Sequence, residues 1–233
     1  MMAMRRGFAF FLTTIIAGAA LAQTMPPAVG FSDTGQPARY AMQGIDYVVS
    51  GCRSATWGMT PDQARAAIRR DFPQAQIAAV QIDPVLKTTR LVARLPSLAP
   101  GPGPAFVGYV FGAKTGRLMQ VNLDWQVDAP TPAQRDALTA AGAALVADFT
   151  GYYWKIGTVT RGAAIGPRTL ILFAGSGAAG GAVDVRLEGV PYTLHAPSQR
   201  PSPPPPAGPA LLHVSFASTA DQPDITTIKS GDF

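Results

Sequence analysis

Two rhythms of hydrophobic and polar positions run along this chain, and the switches between them mark its elements. In "TWGMTPDQARAAIRRDF", Ala64, Ala67, Ile68 and Phe72 recur at helical spacing and share one face. Thr60 is a fitting N-cap, Pro61 takes the first helical position and Gln63 completes a capping box. Met59 can pack on Ala64 from outside the helix, and Pro73 stops it. The period then falls to two. "QIAAVQI" and "TTRLVARL" read as strands joined around Asp83-Pro84, the second with Leu91, Ala93 and Leu95 alternating with Arg90, Val92 and Arg94. "AFVGYVF" and "RLMQVNLDWQV" form a hairpin around Gly112 to Gly116. Met119, Val121, Leu123, Trp125 and Val127 face one way in it. Leu118 and the polar Gln120, Asn122, Asp124 and Gln126 face the other. One covered face and one wet face predict an antiparallel sheet packed on one side.

The order then starts again. "TPAQRDALTAAGAALVADFTG" opens on Thr131-Pro132-x-Gln134, carries the stripe Leu138, Ala141, Leu145 and Phe149, and offers Gly151 as a C-cap. Both helices close on Asp-Phe. "RTLILFA", "AVDVRLEG" and "ALLHVSFA" follow as strands. The expected fold class is α+β, two helices packed on antiparallel sheet. The order suggests two repeated helix-then-strands halves, 53–128 and 129–217. Thr-Pro-x-Gln is a common helix opening, so chance recurrence stays open as an alternative.

Composition changes this picture mainly at the N-terminus. Arg5 and Arg6 precede an apolar stretch from Gly7 to Leu21, and Ala20-Leu21-Ala22 supplies a small-x-small cleavage pattern. Residues 1–22 therefore read as a signal peptide, too short in its apolar part for a spanning helix of about 20 residues. No Ser or Thr precedes the arginine pair, so the general secretory route fits better than the twin-arginine one. The expectation is a periplasmic protein with no stable membrane insertion after cleavage. Residues 23–45 form a loose arm, 46–217 the α+β domain with a short first strand at Asp46 to Ser50, 196–209 a Pro-rich loop and 218–233 a polar tail. Loss of Arg5 and Arg6 lowers the formal charge from +5 to +3. Arg65, Arg69 and Arg70 read as one solvated helix face, and no basic stripe with interleaved aromatics argues for nucleic acid.

The most provocative chemistry lies in "LILFAGSGAAGGAVDVRLEG", where Gly175, Gly177 and Gly180 spell G-x-G-x-x-G. A dinucleotide loop must lead into a helix, with an acid about twenty residues on. Here Val183, Val185 and Leu187 alternate with polar residues as a strand does, and positions 195–205 hold His195, Arg200 and prolines but no acid. The stretch reads as a hairpin connection, and no cofactor is expected. Ser176 lacks the outer glycines of a nucleophile elbow, since Ala174 and Ala178 stand there. His195 and His213 could pair with Asp184 or Asp221 around a metal, but the two histidines lack the close spacing of a metal motif, and no metal is expected. Cys52, alone in the sequence, reads as a buried thiol. Asp46, Asp124, Asp184 and Glu188 leave carboxylate chemistry open without singling out a pair. Trp57, Tyr152, Tyr153 and Trp154 are the candidate binding surface, with completion of the core as the alternative.

At Arg53-Ser54-Ala55-Thr56-Trp57-Gly58-Met59-Thr60 the sequence resembles small exported bacterial proteins in which such a run leads into a short helix and then sheet. The helix-plus-sheet repeats of β-lactamase inhibitor proteins and of small outer-membrane assembly lipoproteins look like this. The resemblance implies an α+β fold and a protein-binding role without shared catalytic residues. The expected function is non-enzymatic binding of an envelope protein or other envelope component. A periplasmic hydrolase using carboxylate or Ser chemistry is the alternative, and the two part on whether Asp124, Asp184, Glu188 or a histidine converge in one concave pocket.

Overall fold

The two helices begin as their sequences dictate. A computed structural model describes residues 45–191 and 208–226. The signal peptide, nearly all of the arm, His195, most of the Pro-rich loop and the end of the tail lie outside the described residues. Helix α1 spans Pro61–Asp71 and α2 spans Pro132–Phe149. In each, the N-cap threonine hydroxyl accepts from the backbone N–H three residues on, and that glutamine returns a bond to the cap N–H. These reciprocal bonds satisfy amides that the first turn leaves without partners. Helix α2 ends at Thr150 in right-handed geometry, and the expected cap Gly151 does not take the left-handed conformation. Its amide bonds instead to the Asp148 carbonyl.

A tight hairpin precedes α1, from β1 (Gly51–Cys52) and β2 (Ala55–Thr56). The Asp71 carboxylate closes it by accepting from the Ser54 amide and hydroxyl, and Arg53, at a left-handed φ of 54°, lays its guanidinium over the Phe72 ring. The strand expected over Asp46 to Ser50 reduces to one parallel bridge, Asp46 to Tyr153. Only from Gly51 does the chain pair continuously.

The main sheet has nine strands: β3 (Gln76–Ile77), β4 (Gln81–Ile82), β5 (Thr89–Leu95), β6 (Ala105–Phe111), β7 (Leu118–Val127), β8 (Thr160–Ala164), β9 (Thr169–Ser176), β10 (Ala182–Glu188) and β11 (Ala210–Ala217). Every pairing is antiparallel. The order is β3-β5-β6-β7-β11-β10-β9-β8, with β4 beside β3 along β5. "QIAAVQI" is thus two short strands broken at Ala78 to Val80. One meander therefore runs inward from β5 to β7, a second from β8 to β11, and the last strand of each meets at the centre.

Both helices cover one face. There Leu91, Ala93 and Leu95 of β5 join Val107 and Tyr109 of β6, Val121 and Trp125 of β7, Leu212 and Val214 of β11, and Val183, Val185 and Leu187 of β10. Ala64, Ala67 and Ile68 of α1 and Leu138, Ala141 and Phe149 of α2 close over them in the same cluster. Two β-bulges correct the simple alternation. Val110 opposes Gln120 and Phe111 opposes Leu118, so Met119 is the extra residue between them. That shift turns Leu118 into the core, where it is 2% exposed, and not toward Gln120 and Asn122 as alternation predicts. Likewise Val185 opposes Phe173 and Arg186 opposes Ile171, leaving Leu172 to reach Gly142 on α2.

Aromatic rings finish the core where α2 meets β9. Tyr47 stacks on Trp154 at 4.8 Å between centroids, Trp154 tilts against Phe173 at 5.0 Å, and Phe149 stacks on Phe173 at 5.7 Å. The chain beyond β11 is also tied down. Asp224 accepts from the Lys114 and Thr115 amides and the Thr115 hydroxyl, fastening residues 218–226 to the turn between β6 and β7.

Candidate functional site

The glycine stretch resolves into the hairpin between β9 and β10. Gly177 and Gly181 close it with a 2.7 Å backbone bond, and Gly180 sits at a φ of 90° that a side-chain-bearing residue rarely adopts. A strand follows, so no helix amides point at a phosphate. Gly175 has a packing reason: an added Cβ would fall 2.9 Å from the Trp154 ring.

Polar chemistry gathers on the sheet face turned away from the helices. The phase of each strand opposite its core residues brings Arg90, Asp124, His213, Asp184 and Arg186 to that face. Register then sets them side by side, with His213 opposite Asp124 on one flank and Arg186 on the other. The His213 Nδ1 lies 2.6 Å from Asp124 Oδ1. Against a carboxylate, Nδ1 carries the proton and donates, which turns Nε2 away from Asp124. Arg90 approaches from two strands away because Gly108, on the strand between, presents no side chain. The guanidinium lies over Gly108, 3.0 Å from where a Cβ would stand, and its Nη2 comes to 3.8 Å from the other Asp124 oxygen. Arg186 pairs with Asp184, two residues before it on β10, at 2.5 Å. Gln120 Nε2 bridges Asn122 Oδ1 and Ser215 Oγ at 2.8 and 2.9 Å.

These groups are withdrawn from water without being sealed. The His213 and Asp124 side chains are 12% and 13% exposed, while Arg90 and Arg186 keep 32% and 29%. Arg90 Nε is buried and makes no hydrogen bond among the described residues. The face therefore offers an oriented imidazole and two partly shielded guanidinium groups with N–H donors to spare.

Of the aromatic candidates, Trp154 is 8% exposed and donates to the Phe149 carbonyl at 2.8 Å, which places it in the core. Trp57 is half-buried and donates to the Val49 carbonyl. Tyr152 packs edge-on against Tyr47. Tyr153 is 42% exposed. The four thus divide between core and surface. Cys52 sits half-buried on β1, and burial pushes its thiol up to about 11, against the pull of Arg53. A thiol so shifted is a poor nucleophile at neutral pH. Among the described residues, no cluster of three or more metal-ligating side chains occurs, and no helix is long and apolar enough to cross a membrane.

Of the residues weighed from sequence, Asp124 and His213 meet directly, Asp184 lies on the same face against Arg186, and Asp46 bridges to Tyr153 elsewhere. Arg90, Arg186, Gln120, Asn122 and Ser215 were legible only as the polar phases of separate strands. Comparison with protein-family models, with curated proteins and with solved structures finds no match.

Proposed function

We propose that this is an exported, non-enzymatic binding protein of the bacterial periplasm that engages another envelope protein or envelope component through the helix-free face of its sheet. One observation carries the reading: the helices cover one face, and the other presents the half-buried seam of Arg90, Asp124, His213 and Arg186. Half-shielded charged groups with spare donors on a broad strand surface suit recognition, since partial burial strengthens polar contacts that water would screen. The signal-like N-terminus supports export. We also propose that 53–128 and 129–217 are related halves. The matching caps, and the meeting of β7 and β11 as last strand of each meander, support that reading.

The test is in-cell photo-crosslinking from Gln126, exposed on the polar face, and from Ala66, exposed on α1, in protein tagged after Phe233. A single envelope component captured in near-stoichiometric yield from Gln126 and not from Ala66 is the expected result. Capture no better than from an unrelated exported protein overturns it.

A hydrolase is the second reading, favoured by the bond from His213 to Asp124, which orients the imidazole as a general base requires. Ester and amide turnover that disappears in His213→Gln would establish it, and equal turnover in that variant would exclude it.

A further inference from the structure

We infer that the seam between Arg90 and Arg186 is a carboxylate-binding site, and that the partner inserts an Asp or Glu side chain there. This rests on the reading of the polar face as the contact surface. Three features converge on it. First, the guanidinium groups are donor-rich and underused: Arg90 Nε has no hydrogen-bond partner among the described residues, Arg90 Nη2 stands 3.8 Å from Asp124, and Arg186 meets Asp184 through its Nε. Second, Arg90 is held in place: it lies on the backbone of Gly108, and Asp124 draws its head toward His213. A planar fork fixed in that way matches a planar carboxylate through two parallel N–H bonds. Third, the charges facing the seam select the valence of the ligand. Arg90 and Arg186 are offset by Asp124 and Asp184, while Arg94 and Glu188 lie further out on the same phases, four strands apart. A doubly charged phosphate would meet two nearby carboxylates with no excess positive charge to hold it. A singly charged carboxylate costs less in that field and still uses the free donors.

The experiment follows the arginine Nε–H and histidine ring signals of the isotopically labelled mature protein by NMR. Sodium acetate, sodium phosphate and sodium chloride are titrated separately at constant ionic strength. The expected result is a saturable millimolar response to acetate at Arg90, Arg186 and His213, weaker for phosphate and absent for chloride. Arg90→Gln should weaken the response at Arg186 and His213 about tenfold, equivalent to one lost charge-assisted pair, while Arg65→Gln on α1 leaves it unchanged. Silence toward acetate, equal shifts with chloride, or tighter response to phosphate overturns the assignment. The wild-type titration decides this even where a variant folds poorly. Crosslinks from Gln126 combined with silence toward acetate would remove the carboxylate assignment alone. An acetate response without crosslinks would leave the site and remove the proposed partner.

Discussion

Replacing Gly175 by alanine tests whether its glycine serves packing against Trp154. The added methyl carbon would lie 2.9 and 3.0 Å from two ring carbons of Trp154 and 3.2 Å from Phe173 Cζ. Both rings are buried among Phe149 and Tyr47, so neither can swing aside cheaply. Overpacking in a closed core costs about 1–3 kcal/mol, and rigid neighbours place this site in the upper half of that range. Alanine recovers about 0.5–1 kcal/mol of backbone entropy relative to glycine in a strand. The net loss expected is therefore about 1.5–2 kcal/mol, a fall in Tm of about 3–8 °C for a chain of this size. Urea unfolding followed by tryptophan fluorescence reads the stability change. The same substitution in a Trp154→Leu background supplies the control, because the ring that causes the clash is gone. There Gly175→Ala should be neutral or slightly stabilising, giving a coupling of about 2 kcal/mol. Equal stability of Gly175→Ala and wild type, or an equal loss in both backgrounds, would refute the packing argument.

Other outcomes follow from the same geometry. Thr60→Ala and Thr131→Ala each remove a capping box and should cost about 1 kcal/mol by urea unfolding, with additive effects because the helices start in separate parts of the fold. Asp224→Ala should release residues 218–226, seen as faster hydrogen exchange at the Lys114 and Thr115 amides. The hydrogen bonds from Thr115 hold the Asp224 carboxyl below its ordinary value of 3.8, so the unfolded chain takes up this proton first as pH falls. The stability from this contact is full above 3.8 and is lost on descending through the lower folded-state value, which exchange measured against pH will show. Burial raises the Tyr47 phenol from 10.0 to about 12, with Tyr152 and Asp148 adding to the effect. The native state keeps that proton after the unfolded chain has lost it. Stability should therefore fall as pH rises from 10 toward 12, and Tyr47→Phe should flatten part of that fall in urea midpoints.

How much of this was legible in the sequence depends on the distance over which each feature is encoded. The caps at Thr60 and Thr131 were readable because every group in them lies within four residues. The alternation of Leu91, Ala93 and Leu95 was readable because the covered face imposes it directly. The inward turn of Leu118 was not, because a bulge depends on what the partner strand offers, here Val110 and Phe111. Strand β8 was missed altogether: "TRGAA" is largely exposed at a sheet edge, and such a strand needs no hydrophobic rhythm. The polar seam was hidden for a related reason. Arg90, Asp124, Arg186 and His213 sit on four strands, and only the meeting of β7 with β11 brings them together. Each lies on the phase opposite its strand's core residues. That signal becomes readable once the strand order is known.

The central pair also sets the order in which this protein can be completed. Val127 at the end of β7 pairs with Ala210 at the start of β11, so the two halves of the sheet are joined only across about 80 residues of intervening chain. Because β11 is the last strand among the described residues, each meander must wait with an open inner edge until it arrives. High contact order of this kind slows folding, since a long loop closes before its contacts repay the entropy. Under the export proposed above, that delay would keep the chain from locking into its final shape before β11 has been delivered.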